Sequence, residues 1–207
     1  LEITAPINHI VGQIKKAVSS NGTYDFPIGN YITSTYTGGR KYGAITITNH
    51  NIVNTSQYQV RFDGNTSNFF PQKKGSDIYS SFLNSGYWWI TPNVVSTSGT
   101  IDLILKTSNY TNGKADISDY ALIRLNNSGY WTFVENAVFS ENSGTITVTA
   151  NGLAPLSTTG ETRFYIGLKA TTTTWTGQAN NGNWNTAGNW SNGVPNNTTK
   201  AIFSGSA

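Results

Sequence analysis

The sequence has 207 residues, with 13 Lys and Arg against 10 Asp and Glu, and it contains neither Cys nor Met. The lack of Cys excludes disulfides, zinc–cysteine sites, iron–sulfur clusters and thiol nucleophiles. No apolar run approaches the roughly 20 residues that span a bilayer, and a net charge of +3 with no long basic run argues against nucleic-acid binding. Because the chain has no initiator Met, we expect it to be a processed piece of a longer precursor.

The composition is polar but not that of a disordered chain. Ser, Thr, Asn and Gly make up 95 of the 207 residues, yet there are also 6 Trp, 11 Tyr and 9 Phe. Disordered segments are poor in aromatic and β-branched residues, so this content favours a folded domain with a substantial core.

In chain order, residues 1–20 carry six Ile and Val residues and the pair Lys15 and Lys16, and an Asn-Gly turn closes them. We interpret them as the end of a preceding β-solenoid-like module. Residues 21–170 alternate between apolar and polar positions, and turn clusters of Gly and Asn separate the alternating runs. This pattern predicts an all-β fold, an antiparallel β-sandwich of jelly-roll or immunoglobulin-like type. The alternating runs are residues 45–48, 58–62 and 145–149, and further strand candidates are residues 101–106, 120–125 and 163–168.

The composition changes again at residue 171. A run of four Thr is followed by Trp175, Trp184 and Trp190 among Asn and Gly, and Lys200 is the one charged residue in this tail. We interpret residues 171–207 as the start of a following module.

The residues bear on two kinds of catalytic site. Only His9 and His50 could serve as the base of a nucleophilic triad, and no Ser has a nucleophile-elbow motif around it. A glycoside hydrolase needs two facing carboxylates. Glu135 follows an aromatic strand, but Glu141 and Glu161 lie in turn-like stretches. We therefore predict no catalytic residues, and a small jelly-roll glycoside hydrolase remains the less favoured alternative.

The nearest carboxylate pair in the sequence is Asp116 and Asp119. These residues could cap a single helical turn, or they could join backbone carbonyls in a Ca²⁺ site, which needs about six to eight oxygen ligands. We favour the cap, and we expect neither a metal ion nor another cofactor.

The run Tyr87-Trp88-Trp89 is the candidate for ligand binding. In a strand, Trp88 points to one face, and Tyr87 and Trp89 point to the other. An exposed aromatic face could stack on sugar rings, which would make the domain a carbohydrate-binding module. Alternatively, a second layer covers both faces, and all three side chains are structural.

Several short sequence motifs resemble those of β-sandwich modules in very large secreted surface proteins of Bacteroidota. In those proteins the end of a solenoid is followed by a Tyr-x-Phe-Pro phrase and then by the strands of the sandwich. The resemblance covers nearly the whole chain and rests on residues 9–16 (HIVGQIKK), 22–29 (GTYDFPIG), 87–91 (YWWIT), 120–124 (YALIR), 164–167 (FYIG) and the tail from Trp175.

The resemblance implies a non-catalytic structural or adhesion module, carried on an extracellular or cell-surface protein exported by the type IX secretion route. The implied partners are neighbouring modules of the same precursor, with surface glycans or the secretion machinery as further candidates. Long edge strands would also allow an oligomer or a filament. Under this interpretation Phe26, Trp88 and Trp131 are core anchors.

Overall fold

The computed structural model describes residues 10–31, 40–64, 72–125, 129–156, 162–196 and 199–203. Within these ranges most residues lie in strands, and two 3₁₀ helices, Ile117–Asp119 and Ala187–Asn189, are present. The strands are β1 (Ile10–Val11), β2 (Gln13–Ala17), β3 (Gly22–Tyr31), β4 (Arg40–His50), β5 (Gln57–Asp63), β6 (Gln72–Lys74), β7 (Asp77–Pro92), β8 (Thr100–Ser108), β9 (Tyr120–Leu125), β10 (Trp131–Phe133), β11 (Val138–Asn142), β12 (Thr145–Leu153), β13 (Thr162–Lys169), β14 (Thr171–Trp175) and β15 (Thr199–Phe203).

The first sheet has six strands in the order β1-β3-β4-β8-β12-β11. Only the pair β1 and β3 is parallel within it. Alternation sets its register, because Ile45 lies opposite Leu105 and Ile47 lies opposite Leu103, which directs the apolar positions of both strands to one face.

The second sheet follows the order β10-β9-β13-β7-β5-β2, and β6 pairs with β7 as its seventh strand. All of its pairs are antiparallel. The long strand β7 is irregular opposite β13, since the register shifts between Tyr165 and Gly167. Gly86 lies in this irregular stretch with φ of +136°, and a methyl group on it would collide with the Asp63 carbonyl oxygen. Glycine is therefore required there.

The two sheets pack face to face around one core. Its largest members include Phe26, Phe62, Trp88 and Phe164, all of which are fully buried, and the rings of Phe62 and Trp88 lie 5.5 Å apart between centroids. Gly43 lets β4 approach Phe62, because a side chain at this position would overlap the ring. The prediction of an antiparallel β-sandwich is confirmed.

The N-terminal segment belongs to the sandwich from Ile10 onward. Ile10 pairs with Ile28 in the first sheet, whereas Ile14 pairs with Val60 in the second. Ile14 and Val18 also pack against the core. β1 and β2 thus extend the two sheets, and the boundary predicted near residue 20 lies between β2 and β3. Residues 1–9, with His9, lie outside the described ranges.

The chain leaves the sandwich where the composition changes. Strand β14 begins one residue after β13 and pairs in parallel with β15 to form a separate two-stranded sheet. The rings of Trp175 on β14 and Phe203 on β15 pack with those of Trp184 and Trp190, and the ring centroids of Trp175 and Trp190 lie 5.0 Å apart. We call residues 171–196 and 199–203 the tryptophan unit.

A buried asparagine organises the loops of the tryptophan unit. Asn189 is fully buried, and its amide oxygen accepts a hydrogen bond of 2.9 Å from the Ala179 amide. Its amide nitrogen donates to Asn181 Oδ1 and to the Asn183 carbonyl, at 2.8 and 2.9 Å. Both N–H groups and the amide oxygen of this side chain are thereby hydrogen-bonded, which is what allows its burial.

Candidate functional site

Consecutive residues of β7 lie on opposite faces of the second sheet. Trp88 is fully buried between the sheets, while Tyr87 and Trp89 are half-buried on the side away from the core. The alternation predicted from the sequence thus determines which of the three is core. We call the face that carries Tyr87 and Trp89 the outer aromatic face; its other members are Tyr79, Phe82, Trp131, Phe133 and Tyr165.

Trp89 lies between two arginines of its own sheet. Arg61 on β5 and Arg163 on β13 are both in register with Trp89. The guanidinium carbon of Arg61 lies 3.5 Å from the centroid of the indole ring, and that of Arg163 lies 5.2 Å from it. These are cation–π contacts, and that of Arg61 is close enough to cover a face of the ring. Trp89 therefore does not offer that face for stacking on a sugar.

Tyr87 is similarly engaged within the fold. Its ring stacks on Tyr165 at 4.6 Å, and its hydroxyl donates a hydrogen bond of 3.2 Å to Asp63 Oδ2. Burial, followed by the charge of Asp63, raises the pKa of Tyr87 to about 12. The phenol thus remains a neutral donor at physiological pH, and it positions Asp63 rather than projecting into solvent.

Trp131, which was predicted to be a core anchor, is half-buried and lies on the outer aromatic face rather than between the two sheets. Strand β10 pairs with β9 at the margin of the second sheet, with Trp131 opposite Leu125. Its half-buried ring packs on the outer aromatic face, 5.4 Å from Phe82 and 5.2 Å from Tyr165 between centroids. The sequence could not distinguish the two faces here, because both are rich in aromatic residues.

Of the residues considered as catalytic groups, Glu135 lies beside a lysine and His50 beside an aspartate, and Asp77 is ion-paired in the same way. Glu135 Oε2 lies 2.7 Å from Lys74 Nζ, and Asp77 Oδ1 lies 3.0 Å from Lys169 Nζ. His50 pairs with Asp102 at 2.7 Å on an exposed surface. Glu161 lies outside the described ranges.

Asp116 caps the first 3₁₀ helix, as favoured from the sequence. Its carboxylate accepts a hydrogen bond of 2.8 Å from the Ser118 amide, and this bond lowers the pKa of Asp116. Among the described residues, no group of three or more His, Asp or Glu side chains is arranged to hold a metal ion. Asp116 and Asp119 therefore have no further acidic ligand or histidine beside them in these ranges.

A groove that sequence reasoning missed lies between the edge strand β11 and the connection from β8 to β9. It has a volume of about 430 Å³. Its walls combine aromatic rings with charged side chains: Tyr110, Lys114, Ile117, Tyr120, Phe139 and Glu141. These residues come from two stretches of the chain, 110–120 and 139–141, so no local motif could have indicated that they form one groove. We call this the edge groove.

Comparisons of the chain with protein-family models, with curated protein sequences and with solved structures find no match. Among the described residues there is no helix of the length and apolar character needed to cross a membrane.

Proposed function

We propose that this chain is a non-catalytic structural and adhesion module of a large exported cell-surface protein. The observation that carries the proposal is the short, directly bonded junction between the sandwich and the tryptophan unit. Ala170 alone separates β13 from β14, and its amide donates a hydrogen bond of 2.7 Å to the Ile78 carbonyl. A spacer needs such a junction, because a loose linker would leave neighbouring modules free to reorient.

Side-chain contacts reinforce this junction. Lys200 Nζ of the tryptophan unit donates a hydrogen bond of 2.8 Å to the Ser76 carbonyl in the turn between β6 and β7. From the sandwich, Lys114 Nζ reaches Thr171 Oγ1 at 3.4 Å. These two links reach the tryptophan unit on different strands, β15 and β14, which supports a spacer with a restrained junction.

The outer aromatic face supports the same proposal. Its aromatic and charged side chains contact one another, as in the contact of Arg61 with Trp89 and the stacking of Tyr87 on Tyr165. Such contacts stabilise a sheet without disulfides, which the Cys-free sequence cannot form.

Backbone ¹⁵N relaxation of the whole chain tests the rigid spacer. We expect one rotational correlation time for amides of the sandwich and of the tryptophan unit. The variant Lys200→Ala should increase the independent motion of the tryptophan unit, whereas Lys106→Ala, on β8, should not. Separate correlation times in the unmodified chain would contradict the proposal.

Surface exposure requires a second experiment. An antibody raised against the purified chain should label intact, unpermeabilised cells that produce the precursor, and brief protease treatment of those cells should remove the label. Labelling that appears only after permeabilisation would contradict the exported location.

A further inference from the structure

The edge groove has the size and the wall chemistry of a small-ligand site. Its volume of about 430 Å³ falls within the range of roughly 300–1,000 Å³ that is usual for such sites. On one side the rings of Tyr120 and Phe139 lie nearly parallel, 21° apart in orientation, with 5.9 Å between their centroids. Tyr110 and Ile117 extend the apolar wall. The groove is thus a platform of aromatic and aliphatic groups open at its rim.

The aromatic walls are held in place before any ligand binds. The hydroxyl of Tyr120 accepts a hydrogen bond of 2.6 Å from the Lys114 amide and donates one of 3.0 Å to the Lys114 carbonyl. Gly113 lies directly against the Tyr110 ring, because a Cβ atom there would come within 2.5 Å of it. Fixed walls reduce the entropy that is lost on binding.

Polar groups at the rim remain available for a ligand. Glu141 Oε1 accepts a hydrogen bond of 2.9 Å from the Gly144 amide, and no described residue donates to its other carboxylate oxygen. The Tyr110 hydroxyl likewise has no hydrogen-bond partner among the described residues. Burial, followed by the charges of Glu141 and Tyr120, raises the pKa of Tyr110, so its hydroxyl stays protonated and can donate.

We propose that the edge groove binds a neutral carbohydrate, with the apolar face of a pyranose ring packed on Tyr110 and Phe139 and its hydroxyls bonded to Glu141 and Tyr110. A sugar presents a flat C–H face together with a fringe of hydroxyls, and this combination matches an aromatic wall bordered by a carboxylate. The inference does not depend on the proposed role as a spacer, since a spacer without this site would be equally rigid.

Two other assignments fit less well. An organic ammonium ion would need room between aromatic faces, but the spacing of 5.9 Å between Tyr120 and Phe139 is too small to admit one, and Lys114 adds positive charge to the rim. The outer aromatic face is a poorer sugar platform, because Arg61 already covers Trp89.

The test is a ¹H–¹⁵N titration of the whole chain with cellotetraose, xylotetraose, mannotriose, chitotriose and, separately, choline. We expect at least one oligosaccharide to shift the amides of Ala115, Ser140 and Glu141. Glu141→Gln, which keeps an acceptor for Gly144, should weaken that binding about tenfold, since hydrogen bonds to charged groups are the stronger ones. Phe139→Ala should weaken it further by loss of the stacking surface. The control Tyr130→Ala, at an exposed residue outside the groove, should leave it unchanged.

Three outcomes would overturn the proposal. The first is the absence of a shift with all four oligosaccharides at millimolar concentration. The second is binding of choline but of no sugar, and the third is a sugar-induced shift confined to the outer aromatic face. Glu141 is exposed, so the Glu141→Gln variant should keep the ¹H–¹⁵N spectrum of the folded chain. A loss of binding in this variant is then not a loss of structure.

Discussion

The two faces of the second sheet use the same aromatic residue types in different ways. On the inner face, Trp88 is fully buried and its ring contacts Phe62. On the outer face, the neighbouring Trp89 is half-buried, and a guanidinium covers its ring at 3.5 Å. The inner face is stabilised by exclusion of water, whereas the outer face is stabilised by specific contacts among aromatic and charged groups. An aromatic-rich strand therefore indicates neither a core nor a binding face by itself.

The largest expected difference between the faces is in the two adjacent tryptophans. Trp88→Ala should lower the free energy of unfolding by about 3–5 kcal/mol, because it removes a large buried ring and leaves a cavity. Trp89→Ala should lower it by only about 1–2 kcal/mol, because that ring is half-exposed. Urea denaturation followed by circular dichroism measures both. Equal losses would show that the outer face contributes to stability as a core does.

The irregular stretch of β7 is the next test. Gly86→Ala should destabilise the sandwich by about 1–3 kcal/mol, because the residue has a φ of +136° and its new methyl group would meet the Asp63 carbonyl oxygen. The Asp63 carbonyl is part of the backbone, so it cannot move aside as a flexible side chain can. The matched control is Gly188→Ala, whose Cβ would stand 3.5 Å from Ala179 in ordinary contact. If both substitutions had the same small effect on denaturation midpoints, the close approach of β7 to β5 would be refuted.

The cation–π contacts of the outer face should give a smaller, graded effect. Arg61→Lys preserves the charge but removes the planar group that stacks on Trp89, so we expect a loss of about 0.5–1 kcal/mol. Arg163→Lys should have less effect, because its guanidinium carbon lies 5.2 Å from the ring centroid rather than 3.5 Å. Denaturation followed by tryptophan fluorescence shows which of the two variants loses more stability. A larger effect at Arg163 would reverse the assignment of the principal contact.

Tyrosine titration distinguishes the causes of similar pKa shifts on the two faces. Burial raises the pKa of both Tyr58 and Tyr87 to about 12, but Asp63 is the second cause only for Tyr87, and Tyr24 is the second cause for Tyr58. Asp63→Asn should therefore lower the pKa of Tyr87 and leave that of Tyr58 unchanged, as measured by absorbance near 295 nm and by NMR.

The sign of the stability effect follows from these shifts. Both pKa values are higher in the folded state than the ordinary value of 10.0, so their contribution to stability is complete below pH 10 and is lost as the pH rises toward 12. In the Asp63→Asn variant, Tyr87 should therefore contribute less to the loss of stability between pH 10 and pH 12. An unchanged alkaline transition would contradict the role of Asp63.

Local patterns were sufficient to predict strands and many of their inward positions. Ile45, Ile47, Val60 and Phe62 alternate with polar residues in the sequence and are buried in the structure. Period-two alternation is a local property of an extended backbone, so it can be read without knowledge of strand partners. The cap formed by Asp116 was accessible for the same reason, because it bonds to a residue two positions away.

The partners of each strand could not be read in this way. The sequence predicts that residues 1–20 end a preceding module, because a turn follows them; it gave no sign that β1 and β2, within this segment, pair with strands of opposite sheets. The position of Trp131 could not be predicted for the same reason, because its place on the outer face depends on the pairing of β10 with β9. Many pairings of alternating strands satisfy the same hydrophobic pattern, and the choice among them depends on contacts between distant residues.

By itself, the sequence determined that this protein is a Cys-free all-β domain rich in aromatic residues, with a change of unit near residue 171. Composition and alternation determine these properties locally. Only the tertiary structure decided that Arg61 occupies a face of Trp89, and that Tyr110, Phe139 and Glu141 line one groove. Each of these sets is assembled across different strands or loops, so the side chains meet only after the sheets have formed and packed.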